Sequence, residues 1–290
     1  NAVGLQKAAA MAVAFGAGYA ARHLHPVLMV LIADIAGTVV IYVFGRAYRN
    51  SSFYDPYWSL APIAIALAWL LNPGGGASAR QAVVLALVVA WGLRLTGNWL
   101  SRWRGLEHED WRYARLRATS GRWYWAVELA GIELMPTLVV FLGCLPLYPA
   151  MTSGGRAFGV LDTVATVVTA GAVLLEAAAD RQLTSFIKES PGATMDRGLW
   201  RFSRHPNYLG EITFWWGLWL FGLAAAPGWW WTVAEPVTVT LLFVFISVPM
   251  MEKRNLARRP DYAAYREATP ALVPWPPQSP RTAQTEEDDA

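Results

Sequence analysis

The sequence is poor in the residues that cross-link or charge a soluble protein. Its single cysteine, Cys144, excludes an intrachain disulfide and a thiolate metal cluster. Charged residues make up 16% of the 290 residues, whereas a soluble domain carries about 25%. The four histidines lie too far apart to predict a metal site by spacing: His23, His25, His108 and His205. These shortages argue against an ordinary soluble enzyme, a disulfide-rich domain and a metal centre.

The glycine-rich loops that commonly hold nucleotides are also missing. No GxGxxG follows a predicted strand, and no Walker A sequence is present. Because doubly wound domains hold their nucleotides with such loops, a domain of that kind is excluded. A dinucleotide, if one binds, must enter a cavity among helices that opens to the cytoplasm.

Long apolar runs dominate what is present. Hydrophobic residues make up 55% of the chain, and about 20 apolar residues suffice to cross a membrane. The pattern predicts an all-α, polytopic membrane protein with a seven-transmembrane-helix core. The seven predicted helices cover residues 27–44, 56–71, 81–100, 123–148, 159–179, 208–225 and 233–251.

An eighth, weaker apolar stretch covers residues 8–21. It predicts an extra N-terminal helix, and the alternative is a cleaved signal peptide with a charged start. We therefore predict a single integral membrane domain over residues 1–275, in which 1–26 hold the extra helix and 27–275 form the core. Residues 276–290 are polar and acidic, which predicts a disordered tail.

The basic residues predict the orientation in the membrane. If the seven helices alternate in direction, one face receives 20 of the 24 Lys and Arg residues. Because translocation of Lys and Arg is disfavoured, that face is predicted to be cytoplasmic. Two of its connections are long, 101–122 and 181–206, and long ordered connections usually carry function.

Of the carboxylates that fall within the predicted helices or at their ends, we single out six. A charged group is costly among apolar helices, so each is a functional candidate by default. The alternative for each is an interhelical hydrogen bond or a position at the lipid headgroups. The three that lie beside the most basic connections are the stronger candidates, and they come last here: Asp34, Glu128, Glu133, Glu176, Asp180 and Glu211.

The basic connections also mix arginine with aromatic residues, as in the runs 102–104 and 111–113. Guanidinium groups form bidentate hydrogen bonds with phosphate oxygens and stack on aromatic rings. This mixture predicts an anionic nucleotide, and the alternative is attraction to anionic lipid headgroups. Lipid attraction does not explain the interspersed carboxylates, which suit a ribose or an amide. Nucleic acid is not expected, because the basic residues are dispersed over helix ends.

One stretch is specific enough to compare with known families. Residues 203–211 (Ser-Arg-His-Pro-Asn-Tyr-Leu-Gly-Glu), followed by Trp215, resemble the signature of the steroid 5α-reductase family. Related forms occur in sterol C14 reductases and, more loosely, in isoprenylcysteine carboxyl methyltransferases. The motifs at 252–255, 260–265 and 272–274 resemble the ending of the same superfamily. The greatest likeness is to a bacterial homologue of the DUF1295 type, which implies a bacterial inner membrane and a cofactor site facing the cytoplasm.

The resemblance implies an NADPH-dependent oxidoreductase that reduces the C4–C5 double bond of 3-oxo-Δ4 steroid-like enones, with hydride transfer to the β-carbon. In the family, a carboxylic acid and a tyrosine hydrogen-bond the 3-keto oxygen. By position the acid falls on Asp55, its neighbouring glutamine on Tyr54 and the tyrosine on Trp91. Trp91 is a departure, because an indole N–H donates a hydrogen bond but is no practical proton source. The alternative for Asp55 is an ordinary helix cap before Pro56.

The resemblance also implies an NADPH site without a metal. The run 109–113 (Glu-Asp-Trp-Arg-Tyr) has no clear counterpart in the family, and the alternative for it is a loop clasp of arginine–carboxylate pairs. The implied cofactor-binding residues are Arg94, Asn98, Arg102, Arg104, Glu176, Asp180, Arg197, Arg204, His205, Asn207, Tyr208, Glu211, Trp215, Arg254, Asn255 and Tyr262.

Two other functions stay open. An S-adenosylmethionine-dependent methyltransferase of an isoprenoid or lipid would share the Arg-His-Pro-x-Tyr core, but it would leave the many arginines without a phosphate. A non-enzymatic lipid-binding or transport protein would be favoured by inverted repeats or broken helices, and we find none in the sequence. For the reductase, the expected partners are membrane lipids and a lipophilic, steroid-like enone, and the chain is expected to be a monomer.

Overall fold

The computed structural model describes residues 2–71, 78–103, 105, 109–153 and 156–277. Within these ranges the chain is helical and forms no strand. The α-helices are α1 (Ala2–Ala20), α2 (Pro26–Tyr48), α3 (Asp55–Leu70), α4 (Ala79–Arg102), α5 (Trp111–Ser120), α6 (Tyr124–Val127), α7 (Met135–Cys144), α8 (Leu147–Thr152), α9 (Val160–Glu189), α10 (Pro206–Ala225), α11 (Ala234–Leu242), α12 (Val248–Arg258) and α13 (Tyr262–Ala268). Short 3-10 helices cover Ser51–Phe53, Gly121–Trp123, Gly198–Arg201 and Pro227–Val233.

Five helical stretches in the described part of the chain are long and apolar enough to cross a membrane, which makes this a multi-pass membrane protein. The predicted helices at 56–71 and 208–225 also form, as α3 and α10, but the seven-span count is not confirmed. One reason is that α3 has only 16 residues. The stretch predicted at 8–21 forms α1, which is not among the five. The five are Pro26–Tyr48, Ala79–Arg102, Trp111–Cys144, Val160–Glu189 and Pro227–Arg258.

Proline interrupts two of the predicted helices. They contain the π-helical segments Glu128–Leu134 and Phe243–Ser247. Pro136 and Pro249 each lie two residues beyond the end of a π segment. Because proline has no N–H to donate to the carbonyl four residues earlier, the helix there widens to longer-range hydrogen bonds. Neither predicted helix is therefore a regular α-helix throughout.

The connection predicted at 181–206 is shorter than expected, because α9 continues to Glu189. Residues 181–189 contain no glycine or proline, and Phe186 packs in a buried cluster with Met195 and Trp200. The helix ends just before Pro191 and Gly192. The connection itself covers only residues 190–205, so Asp180 lies well inside α9 rather than near its end.

The chain separates into two compact units, each of which makes most of its contacts within itself. Unit 1 is Asn1–Val167 with Trp215–Pro236, and unit 2 is Val168–Phe214 with Val237–Ala290. The single domain expected over 1–275 stays a prediction. The expected tail, apart from residues 276 and 277, lies outside the described residues.

Hydrogen bonds between buried polar side chains join the helices of unit 1. The Thr137 hydroxyl lies 2.9 Å from those of Thr38 and Tyr54, which ties α7 to α2 and to the turn before α3. The Tyr57 hydroxyl donates to Asp34 Oδ1 at 2.7 Å. Such interhelical bonds are worth about 0.6 kcal/mol each in a membrane protein. Asp34, a functional candidate by sequence, thus has the interhelical hydrogen bond that was its alternative.

A buried ion pair joins α4 to α9. Arg80 Nε lies 2.6 Å from Asp162 Oδ1 and Nη2 lies 2.9 Å from Oδ2. Nη1 and Nη2 also donate to the carbonyls of Arg156 and Ala157, respectively, and the Gly159 N–H donates to Asp162 Oδ2. The two side chains are 1% and 2% exposed. Burial on this scale is tolerable only because both charges are fully hydrogen-bonded.

We expect Arg80→Met to lower the free energy of unfolding in detergent by about 3–5 kcal/mol, because it leaves Asp162 charged, buried and unpaired. Adding Asp162→Leu should recover most of that loss. As a control, Arg197→Met in the exposed pair with Asp196, whose side chains are 74% and 62% exposed, should change stability by less than about 0.5 kcal/mol. A double variant no more stable than Arg80→Met would contradict this view of the pair.

Candidate functional site

Asp55, the predicted substrate acid, lies in unit 1 at the first residue of α3. Tyr54 holds the N-cap position and makes no side-chain cap hydrogen bond. Instead of capping, the Asp55 carboxylate accepts a hydrogen bond at Oδ1 from the Tyr113 hydroxyl, at 2.6 Å. The geometry therefore gives Asp55 a specific partner 58 residues away in sequence and does not support the alternative of an ordinary helix cap.

Burial sets the protonation of this carboxylate. It raises the pKa of Asp55 from 3.8 to about 6, and the nearby Arg112 guanidinium and the Tyr113 hydrogen bond act in the opposite direction. The neutral carboxylic acid is therefore present up to about pH 6 and is lost as the pH rises beyond that value. The Trp99 side chain also hydrogen-bonds this carboxyl group, so Tyr113 and Trp99 together hold it in place.

Glu109 and Asp110, at the start of the run 109–113, hold Tyr113 in place through contacts with the turn before α3. The Ser51 N–H donates to Glu109 Oε1 at 2.9 Å, and the Asp110 N–H donates to the Ser52 hydroxyl at 2.8 Å. Arg117 Nη2 lies 2.7 Å from Glu109 Oε1. The clasp of arginine–carboxylate pairs considered for this run is confirmed. Its contact with Asp55 was missed, because the unusual run singled out these residues without indicating Asp55 as their partner.

Tyr54 and Trp91, the other residues predicted at the substrate, are buried in unit 1. The Tyr54 side chain is 2% exposed, and its hydroxyl lies 2.9 Å from the Thr137 hydroxyl. Trp91 is fully buried. The centre of its ring lies 5.9 Å from that of Trp58 and 5.5 Å from that of Trp215. Trp91 and Trp215 thus pack edge to face in an aromatic cluster.

The signature residues of α10 meet α9 within unit 2. Asn207 Nδ2 donates to Asp180 Oδ1 at 3.5 Å. One turn further, a Cβ added at Gly210 would lie 2.3 Å from Glu176 Cγ, so only glycine lets the two helices approach this closely. Glu176, Asp180 and Glu211 are all buried. These three carboxylates and the Asn207 amide therefore all belong to unit 2, with Asn207 and Glu211 four residues apart on α10.

Asn207 has an open hydrogen-bonding position in this cluster. Its Oδ1 is buried and has no hydrogen-bond partner among the described residues. A buried amide oxygen without a donor is unfavourable by about 1–3 kcal/mol. Asn207 Oδ1 is thus suited to accept a hydrogen bond from a ligand that carries an amide or a hydroxyl group.

The arginine of the signature is engaged by the protein itself. Arg204 Nη2 lies 2.5 Å from Glu252 Oε1, and its Nη1 donates to the carbonyls of Arg266 and Thr269. The backbone N–H of Arg204 donates to the Pro270 carbonyl at 2.9 Å. These bonds fasten the signature to the C-terminal segment, which explains why the two motifs occur together. We assign Arg204 to holding the signature in shape.

The remaining predicted cofactor residues are spread over both units. The His205 and Tyr208 rings stack with centres 5.1 Å apart. Arg197 and Arg201 line an open hollow of unit 2 beside Thr194. Arg104 lies outside the described residues. In unit 1, Arg94 and Asn98 are half-buried on α4, and Arg102 is exposed. In unit 2, Arg197 is exposed and Tyr262 is buried. Arg254 and Asn255, also in unit 2, are half-buried on α12.

Comparison with known proteins supports the family resemblance that the signature indicated. A family model described as "Protein of unknown function (DUF1295)" matches residues 41–269. The uncharacterized protein C594.04c of Schizosaccharomyces pombe is 26% identical over 275 residues, which cover 83% of this chain and 79% of that protein. No solved structure matches the chain. Because the family model spans most of the chain, including Asp55, Tyr113 and Asn207, this protein belongs to the DUF1295 family.

Proposed function

We propose that the protein is a membrane-embedded, NADPH-dependent reductase of the carbon–carbon double bond of lipophilic, steroid-like enones. The observation that carries the proposal is the Asn207 amide inside the reductase-like signature. Its nitrogen donates to Asp180, and its buried oxygen has no hydrogen-bond partner among the described residues. The resemblance of that signature to steroid 5α-reductases supplies the reaction class. The acid at Asp55, paired with Tyr113, supplies a proton donor of the kind the reaction needs.

The chemistry of the residues in unit 2 fits the nicotinamide end of the cofactor. A carboxamide carries N–H donors that the Asn207 oxygen can accept, and a ribose carries hydroxyls that the buried carboxylates Asp180 and Glu211 can accept. The phosphates need guanidinium groups, and Arg197 and Arg201 lie at an open hollow of the same unit. Bound there, NADPH would supply the hydride for the β-carbon of the enone.

Asp55 would act on the carbonyl oxygen of the substrate. Tyr113 and Trp99 would hold the carboxyl group in one orientation, while the neutral acid donates its proton to the carbonyl oxygen. As negative charge develops on that oxygen, the waiting donor stabilises it. The buried position of Asp55 keeps the acid form available near neutral pH, which matches the demand on a general acid.

A second function is favoured by one observation. Arg204 donates to Glu252 and to two backbone carbonyls, so little of its guanidinium is left for a phosphate. S-adenosylmethionine has no phosphate, and buried carboxylates would suit its ribose and its amino group. A methyltransferase of an isoprenoid or lipid is therefore the competing proposal, and the identity of the bound cofactor decides between the two.

We predict that the purified protein in detergent binds NADPH more tightly than either NADH or S-adenosylmethionine. Asn207→Ala should weaken NADPH binding by about tenfold, the loss expected for one buried hydrogen bond. Thr213→Ala is the control, because the Thr213 hydroxyl on α10 donates to the Leu209 carbonyl of the same helix, and its loss should leave the affinity unchanged. Tighter binding of S-adenosylmethionine would instead favour the methyltransferase.

Asp55→Asn should lower the rate of enone reduction by about 100-fold or more, because the amide cannot give up a proton, while NADPH affinity stays normal. Asp34→Asn is a matched control, since Asp34 is also a buried carboxylate of unit 1 that accepts from a tyrosine, Tyr57, at 2.7 Å. It should reduce enones at the wild-type rate. If Asp55→Asn is as fast as the wild type, the proton comes from another group.

The pH dependence tests the Tyr113–Asp55 pair separately. Activity that needs the neutral acid should fall as the pH rises through about 6, the pKa of Asp55. Because the tyrosine hydrogen bond lowers that pKa, Tyr113→Phe should move the fall to higher pH, by about one pH unit. A Tyr113→Phe profile that is lower at every pH but unshifted would mean that Tyr113 serves only the fold.

A further inference from the structure

A second group of buried oxygens lies in unit 1, apart from Asp55. Its centre is the π-helical segment Glu128–Leu134, and π-helical segments often mark functional sites. The segment carries two carboxylates, Glu128 and Glu133, whose side chains are both 0% exposed. Neither belongs to the proposed reductase site, so their burial within a membrane-spanning stretch needs a separate explanation.

The two carboxylates differ in their partners. Glu128 Oε1 accepts from the Ser51 hydroxyl at 2.7 Å, and Glu128 Oε2 lies 3.3 Å from Arg46 Nη1. The Ser51 hydroxyl also lies 2.7 Å from that of Tyr124. Neither oxygen of Glu133 has a hydrogen-bond partner among the described residues. Glu133 is therefore a fully buried acid with unused acceptors.

Glycine leaves space where these oxygens converge. A Cβ added at Gly45 on α2 would lie 3.5 Å from Glu133 Oε1, 3.5 Å from the Asn50 carbonyl oxygen and 3.7 Å from Glu128 Oε1. Three oxygens, two from the π-helical segment and one from the turn after α2, thus approach one point beside a residue that has no side chain. Oxygen atoms from carboxylates and a carbonyl are the ligands that hard cations prefer.

The charges at this point do not balance. Glu128 and Glu133 face the guanidinium of Arg46, whose side chain is itself 45% exposed. The guanidinium of Arg117 also interacts with Glu128 but is already paired with Glu109. A buried net charge of one is strongly unfavourable unless it is neutralised. One added positive charge would balance the group, which favours a monovalent ion over a divalent one.

We propose that Gly45, Asn50, Glu128 and Glu133 form a binding site for one monovalent metal cation, with sodium as the probe of choice. The cation is held by the two carboxylates and the Asn50 carbonyl. Ser51 and Arg46 keep Glu128 oriented toward it. The site ties the π-helical segment to α2 and to the turn that leads to α3, so the bound cation stabilises the fold of unit 1.

The test compares melting temperatures of the purified protein in detergent at constant ionic strength. Sodium chloride should raise the melting temperature above its value in choline chloride by about 2–6 °C, because a ligand bound only to the folded state stabilises it. Choline is too large for the site. Binding of radioactive sodium, measured in parallel, should saturate at one ion per chain.

Three variants locate the effect. Glu133→Gln removes one charged ligand and should abolish both the sodium-specific shift and the binding of radioactive sodium. Gly45→Ala keeps every oxygen but places a methyl group at ordinary contact distance from three of them, so it should fold and lose sodium binding. Asp34→Asn is the control on the same helix, and it should retain both.

The proposal is overturned if sodium and choline give the same melting temperature and no radioactive sodium binds. In that case Glu133 is neutralised by a proton. A shift with calcium or magnesium but not with sodium would overturn the monovalent assignment. Retention of sodium binding by both Glu133→Gln and Gly45→Ala would place the ion elsewhere in the molecule.

Discussion

A carboxylate buried among apolar helices must be neutralised or hydrogen-bonded, and this constraint organises the molecule. Asp162 is paired with Arg80, Asp34 accepts from Tyr57, and Asp55 accepts from Tyr113. Each pair joins segments that are distant in sequence. The hydrogen bonds that compensate for burial of the carboxylates therefore also hold these segments in register. The acids therefore contribute to the fold even where we propose that they act in chemistry.

Two exceptions to this rule lie at the proposed sites. Glu133 and the Asn207 oxygen are buried without partners among the described residues. Natural proteins retain such groups chiefly where a ligand or a reaction needs them. One exception lies in the reductase-like signature and the other in the π-helical segment, which is why we infer two separate ligands. The Asp55 carboxyl group differs from both, because Tyr113 and Trp99 already hydrogen-bond it.

Much of the helical architecture could be predicted from the sequence, since apolar runs of sufficient length have few other solutions. The gathering of Asn207 with Asp180 could be predicted only by resemblance to the signature, because spacing alone places Asn207 near Glu211 and not near α9. The Tyr113–Asp55 contact could not be predicted, since it depends on how the clasp at Glu109 folds back over 58 residues. The π-helical segments could have been anticipated from Pro136 and Pro249, because each proline removes a required N–H.

We propose that this chain transfers a hydride from NADPH to the β-carbon of an enone. The most direct measurement uses NADPH carrying deuterium at the transferable position of the nicotinamide, incubated with the purified protein and a lipophilic enone, with the product analysed by mass spectrometry and NMR. We expect the product to be a saturated ketone with one deuterium at the β-carbon. A product without deuterium, or a methylated product that forms only when S-adenosylmethionine is present, would contradict it.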